Sequence, residues 1–187
     1  GVYYADASSR LVVDRTDHNG SFTTSAGSGG ALFAALQARV ALTDSRFAAG
    51  AAKLGGALYT EYVTSLAVAG STFERNSATQ DAGAVHVLGD APTTFDGCDF
   101  VENVAQTLGG AFYLDSITTR GNLRVARTRI ARNRAASGSY DLAVAEPVAP
   151  NAQEVRTRSL RGIDAWRRRK ERGSPHLCAP LGAGVTA

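Results

Sequence analysis

Hydrophobic and polar positions alternate over short runs of this chain, and the runs recur at a fixed interval. Val40 and Leu42, Leu66 and Val68, Thr93 and Phe95, and Leu123 and Val125 stand two apart in successive copies. Each pair is followed at the same period by Ser45, Ser71, Cys98 or Thr128, and then by Phe47, Phe73, Phe100 or Ile130. A second set of alternating positions reads Leu32/Ala34, Leu58/Thr60, Val85/Val87 and Phe112/Leu114. Alternation with period two marks strands that bury one face. Each copy is therefore expected to hold at least two short strands separated by turns.

Two motifs run in phase with this pattern. Gly-Gly-Ala-Leu at 29–32 and 55–58 is matched by Ala-Gly-Ala-Val at 82–85 and Gly-Gly-Ala-Phe at 109–112. The second glycines, Gly30, Gly56, Gly83 and Gly110, are 26, 27 and 27 residues apart. The other motif is Phe47-Ala-Ala-Gly50, Phe73-Glu-Arg-Asn76, Phe100-Val-Glu-Asn103 and Ile130-Ala-Arg-Asn133, each with an alanine two residues on. A unit this short cannot close a core by itself. Stacked at about 4.8 Å, each strand pairs with its copies above and below, and like residues lie over like. The architecture expected is a parallel β-helix. Asn76, Asn103 and Asn133 suit a ladder of side-chain amides, and the glycines suit corners of positive φ or close backbone approach. The Leu-x-x-Leu-x-Leu frame of leucine-rich repeats and the 3.6-residue period of helical repeats are both missing, and a propeller blade needs about 40 residues.

The paired motifs Gly-Gly-Ala-(Leu/Val/Phe) and (Phe/Ile)-x-x-Asn resemble the repeats of the polymorphic outer membrane protein family, within the wider right-handed β-helix class that includes pectate-lyase-like proteins. The resemblance covers about residues 29–136. It implies a right-handed solenoid on a cell surface or outside the cell, used for adhesion rather than chemistry. No outer-membrane barrel is recognisable in the sequence, so an autotransport route is not implied. The expected fold is all-β: a right-handed parallel β-helix of about five coils over residues 1–146, with a basic helix and tail over 147–187.

The flanks are less regular. Residues 1–28 read as a degenerate first coil, with Val2-Tyr3 matching Leu32-Phe33 and Leu11/Val13 matching Val40/Leu42. Asp14–Ser28 is expected to be turn and loop. About three extra residues fall near Asp115–Gly121, a corner where a loop can bind something. A partial coil is expected over Gly138–Val144, ended by Pro147 and Pro150. Asn151-Ala-Gln-Glu154 reads as a helix start, and a helix is expected at about 152–171. Its apolar residues Leu160, Ile163 and Trp166 share a face that covers the solenoid or contacts a partner chain.

Composition narrows the class. The chain has 187 residues, 44% hydrophobic and 20% charged, enough for one packed domain. No apolar run reaches the roughly 18–20 residues of a membrane helix. Two cysteines, Cys98 and Cys178, leave one bridge or two free thiols open. The net charge of +3 is uneven: residues 1–150 carry 12 basic and 14 acidic groups, and residues 151–187 carry 8 basic and 3 acidic. The Arg-rich segment reads as a solvated helix or a protein contact, and nucleic acid is not the expected partner. A start at Gly1, inside a coil, is expected of a piece of a longer protein.

Candidate chemistry follows from the facing. Phe33, Tyr59, His86 and Tyr113, with Tyr3 before them, fall between inward positions and are expected to form an outward aromatic stripe that stacks sugar rings or anchors a protein. The alternative is a patch covered by a loop or by the C-terminal helix. Asp96, Asp99 and Glu102 are the densest acidic group, but Arg75 and Arg129 alternate with them, which favours a neutralised surface. Cys98 reads as a small buried filler. No catalytic residue, metal site or cofactor is expected. The preferred reading is a non-enzymatic structural or adhesive module of a larger extracellular or cell-surface protein, binding glycan or protein. Two other readings stay open: a polysaccharide lyase or hydrolase using the acidic group, and an assembly subunit whose coil ends stack on neighbouring chains.

Overall fold

In the computed structural model, residues 2–24, 26–116 and 123–136 are described in full, and two strands beyond them as backbone. Coil one holds β1 (Tyr3–Ala5), β2 (Arg10–Asp14) and β3 (Asp17–Asn19). Coil two holds β4 (Leu32–Ala35), β5 (Arg39–Thr43), β6 (Arg46–Ala48) and β7 (Ala51–Ala52). Coil three holds β8 (Leu58–Glu61), β9 (Ser65–Ala69), β10 (Thr72–Glu74) and β11 (Ser77–Ala78). Coil four holds β12 (Val85–Leu88), β13 (Thr93–Asp96), β14 (Asp99–Val101) and β15 (Val104–Ala105). Coil five holds β16 (Phe112–Asp115), β17 (Leu123–Ala126), β18 (Arg129–Ala131) and β19 (Arg134–Ala135), and β20 (Leu142–Ala145) begins another turn.

Every strand of these coils pairs in parallel with its copy one coil on, which makes the chain a parallel β-solenoid of about five turns with four sheets. Sheet A runs β1-β4-β8-β12-β16-β20, sheet B β2-β5-β9-β13-β17, sheet C β3-β6-β10-β14-β18, and sheet D β7-β11-β15-β19. The register is the one the repeat demands: Phe47, Phe73, Phe100 and Ile130 are direct partners, as are Leu42, Val68, Phe95 and Val125. Three residues are inserted between β16 and β17, and the strands on either side keep register.

The interior is one continuous column of side chains. Phe73 is fully buried, with Phe47 stacked 5.1 Å below and Phe100 4.8 Å above. Phe95, Phe100 and Phe112 meet with ring centroids within 5.3 Å of one another and are fully buried. Such rings are the largest of the side chains that stacking buries and one coil could not bury alone.

Polar ladders run inside the same column. Asn103 Oδ1 accepts from the backbone N–H of Asn76 at 3.0 Å and from Asn76 Nδ2 at 2.9 Å. Asn133 does the same for Asn103, at 2.9 Å for both donors. Each amide also donates inward to a phenylalanine carbonyl one coil back, Phe47 for Asn76 and Phe73 for Asn103. The ladder ends where Gly50 N–H donates to Asn76 Oδ1 at 2.8 Å. A second ladder uses hydroxyls. The N–H groups of Thr16, Ser45 and Cys98 donate to Ser45, Ser71 and Thr128, at 3.2, 3.2 and 3.3 Å.

The corners explain the double glycine. Gly29, Gly55, Ala82 and Gly109 all have positive φ, between 60° and 69°, where the chain turns from sheet D into sheet A. The second glycine answers a different need. A Cβ on Gly56 would lie 2.2 Å from the Gly83 carbonyl oxygen, and one on Gly83 the same distance from that of Gly110. Only glycine lets the coils approach so closely there.

Three expectations at the flanks change. Tyr3, not Val2, pairs with Leu32, and Tyr4 pairs with Phe33. Asp14–Ser28 is not only turn and loop: β3 puts His18 in the phenylalanine column, 5.1 Å from Phe47. The last strand of sheet A is covered by an antiparallel strand, β21 (Leu177–Ala179), which the sequence pattern does not announce. The expected helix at 152–171, with Leu160, Ile163 and Trp166, lies outside the described residues, as does much of the expected tail. Among the described residues there is no helix at all.

Candidate functional site

Strand alternation puts the second residue of each sheet A strand on the outer face, and parallel register stacks these residues. The ladder that results is Tyr4, Phe33, Tyr59, His86 and Tyr113. Ring centroids are 5.5, 5.3, 5.1 and 5.0 Å apart along it. The first three rings lie nearly flat on one another, and His86 tilts until it meets Tyr113 edge-on at 73°. The structure thus brings together all four expected residues and adds Tyr4.

Their exposure differs from a uniform surface stripe. Tyr4 is 68% exposed and Phe33 is half-buried, whereas Tyr59, His86 and Tyr113 are 6, 4 and 8% exposed. Leu108 and Ala82 pack against Tyr113 and account for part of its cover. The open part of the ladder is Tyr4 and Phe33 in coils one and two, and Leu36 and Tyr62, at the corners that follow β4 and β8, are 59% and 58% exposed.

Burial sets the electrostatics. It lowers the His86 imidazole to a pKa of about 4, against the opposing pull of Asp81 and Asp115. His86 Nδ1 has no hydrogen-bond partner among the described residues. Burial also raises the Tyr59 phenol to about 12, helped by Glu61 and Asp115. Tyr4 is raised as well, chiefly by its hydrogen bond to Asp6. At neutral pH the face therefore offers neutral rings with carboxylates beside them.

The acidic group on sheets B and C has a different character. Asp96 pairs with Arg127, Glu102 pairs with Arg132 at 2.8 Å, and Asp99 lies 3.9 Å from Arg129. Each acid faces an arginine one coil on. The same device links Asp17, Arg46 and Glu74 across coils one to three. These partly exposed pairs are worth about 0–1 kcal/mol each. They match the neutralised surface expected from alternating signs. Among the described residues no group of three or more His, Cys, Asp or Glu side chains is placed to hold a metal ion.

Cys98 is a free, buried thiol in the hydroxyl column. Its sulfur lies 3.5 Å from the carbonyls of Val68 and Asp96, and burial pushes its pKa up to about 11. A thiol so held is a filler rather than a nucleophile.

The sequence reasoning missed Tyr4 and His18. A spacing signal was available: Leu32 to Val40 is eight residues, and so is Tyr3 to Leu11. Holding that spacing constant puts Tyr4, not Tyr3, in the outer column. No protein-family model matches this sequence, no curated protein matches it, and no solved structure matches its fold.

Proposed function

We propose that this chain is a non-enzymatic structural or adhesive module, acting outside the cell or at its surface, which presents the outer face of sheet A to a glycan or a protein. The observation that carries the reading is the aromatic ladder, exposed at Tyr4, with Leu36 and Tyr62 exposed at the corners that follow β4 and β8. Stacked rings fixed by a sheet form a rigid platform that loses little entropy on contact, and neighbouring carboxylates such as Asp6 and Glu61 can accept hydroxyl donors. The pairing of each of Asp96, Asp99 and Glu102 with an arginine supports a surface role for those acids over a catalytic one. The kinship we assign is to the polymorphic outer membrane protein repeats, on the motifs Gly-Gly-Ala-(Leu/Val/Phe) and (Phe/Ile)-x-x-Asn.

The test is a glycan and surface-protein binding screen of the chain with Tyr4→Ala and Tyr62→Ala. Both residues are exposed, so both variants should fold. The reading expects binding that falls at least tenfold in the double variant, or about 1.4 kcal/mol. Binding that is unchanged would remove the platform. Turnover of a uronate polymer with Ca²⁺, abolished by Asp99→Ala, would replace the module with an enzyme.

A further inference from the structure

Six asparagines stand in the chain, and one of them opens Asn19-Gly20-Ser21, the Asn-x-Ser/Thr pattern to which N-linked glycans are attached. The fold sets this asparagine apart from those of the amide ladder. Asn76, Asn103 and Asn133 point inward and are at most 7% exposed. Their amide nitrogens donate to the carbonyls of Phe47, Phe73 and Phe100. Asn19 is the last residue of β3, and His18 before it occupies the phenylalanine column. Period-two alternation therefore turns Asn19 to the outer face of sheet C, where it is exposed.

That exposure comes from the direction of the side chain and not from the place of β3 in its stack. In the same column Glu74 and Val101 stay partly exposed with a strand on either side of each. Directly beside Asn19 the column holds the methyl group of Ala48, which can neither bond to the amide nor reach over it.

The amide and the hydroxyl of the pattern are both uncommitted. Neither the Asn19 side chain nor the Ser21 side chain makes a hydrogen bond among the described residues. Gly20 between them has a φ of 72°, and a Cβ built on it would find no atom within 4 Å. Its N–H donates to the Ala48 carbonyl at 2.9 Å, which fixes the turn on coil two with open space outside it. A sugar on Asn19 Nδ2 therefore displaces no packed side chain and breaks no hydrogen bond of the fold.

We propose that Asn19 is an N-glycosylation site. The proposal rests on the reading of the chain as a module that reaches the cell exterior. The donor is an oligosaccharide carried on a lipid diphosphate. Asn19 Nδ2 forms a bond to the anomeric carbon of the first sugar as the bond from that carbon to the diphosphate oxygen breaks. The lipid diphosphate leaves with the electron pair, and the amide gives up one proton to a base of the transferase.

Secretion of the full chain from a eukaryotic cell line behind a supplied signal peptide tests this, read by intact mass before and after treatment with peptide:N-glycosidase F. Wild type should carry a single glycan that the enzyme removes, and peptide mapping should place it at Asn19. Asn19→Gln and Ser21→Ala should each lose it, and Ser21→Thr should keep it. Far-UV circular dichroism of glycosylated wild type and of Asn19→Gln should superimpose. Secreted wild type without a glycan overturns the proposal, as does a glycan that persists in Asn19→Gln. A glycosylated chain that has lost its β-sheet signal overturns it too, because the fold would then not accommodate the sugar. Since the signal peptide is supplied, none of these results depends on where the chain resides in its own cell. The surface-module reading fails separately, in the binding screen with Tyr4→Ala and Tyr62→Ala.

Discussion

Asn76 Nδ2 donates to Asn103 Oδ1 at 2.9 Å across 27 residues of sequence, and both side chains are at most 1% exposed. Asn76 and Asn103 each satisfy a backbone N–H and a backbone carbonyl on the coil before, so removal of either strands partners that water cannot reach. Asn103→Ala leaves the Asn76 N–H and the Phe73 carbonyl without their side-chain partners. The expected cost is about 3–5 kcal/mol. Urea denaturation monitored by far-UV circular dichroism measures it, and a loss under about 1 kcal/mol would mean the ladder contributes little.

The two glycines of each motif are predicted to respond differently. Gly56→Ala forces a Cβ to within 2.2 Å of the Gly83 carbonyl oxygen, which spreads two coils apart. It should cost more than about 3 kcal/mol. Ala82→Gly restores glycine at a corner with φ of 64°. Relief of about 1 kcal/mol of backbone strain is offset by loss of one buried methyl, so its stability should stay within about 1 kcal/mol of wild type. Thermal unfolding of the two variants checks the contrast, and equal effects would refute the division of roles.

His86 makes the fold sensitive to acid. Its pKa falls from an ordinary 6.5 to about 4 in the folded chain. Above pH 6.5 the residue is neutral in both states. As the pH falls from 6.5 toward 4, the unfolded chain takes up a proton that the folded chain refuses, and stability is lost, about 3 kcal/mol in all. His18 is also lowered by burial and acts in the same direction. The comparison is therefore between wild type and His86→Phe, measured as denaturation midpoint against pH. The variant should show a shallower acid limb, and superimposable profiles would contradict the assignment.

Cys98 occupies a position that hydroxyls fill elsewhere in its column. Ser71, one coil back, donates to the Ala69 carbonyl at 2.9 Å, and Thr128, one coil on, donates to Ala126 at 2.9 Å. Cys98→Ser should reproduce those bonds and leave stability at neutral pH within about 1 kcal/mol. It should also remove the part of the alkaline destabilisation that arises as the pH passes the thiol's ordinary 9.0 toward its folded value of about 11. Calorimetry at pH 7 and pH 10 separates the two effects, and an unchanged alkaline loss would assign it wholly to other groups such as Tyr59.

Much of this architecture was legible from spacing. Phe47, Phe73 and Phe100 declare the register because a rung that cannot close its own core must repeat what its neighbour needs. The double glycine declares the corners for the same reason. What was not legible is set by contacts that do not repeat. The burial of Tyr59, His86 and Tyr113 depends on cover outside their own column, which period-two alternation does not encode. Coil one was misread by one residue at Tyr4 because it lacks the glycine pair that marks the later coils. The pairing of Leu177–Ala179 with Leu142–Ala145 joins segments with no common motif, so nothing in the repeat points to it.

The central claim is that coils stack in parallel with copies in direct register, and engineered disulfides test it most directly. Ala67 and Thr94 are direct partners in sheet B, with Ala67 exposed and Thr94 half-buried, and Ala41 lies one coil before Ala67. Neighbouring strands are about 4.8 Å apart, within reach of a disulfide, whereas strands two coils apart are about 10 Å apart and out of reach. The double variant Ala67→Cys with Thr94→Cys should cross-link on mild oxidation, and Ala41→Cys with Thr94→Cys should not. Failure of the first pair to close while the second closes would contradict the stacking on which every other statement here depends.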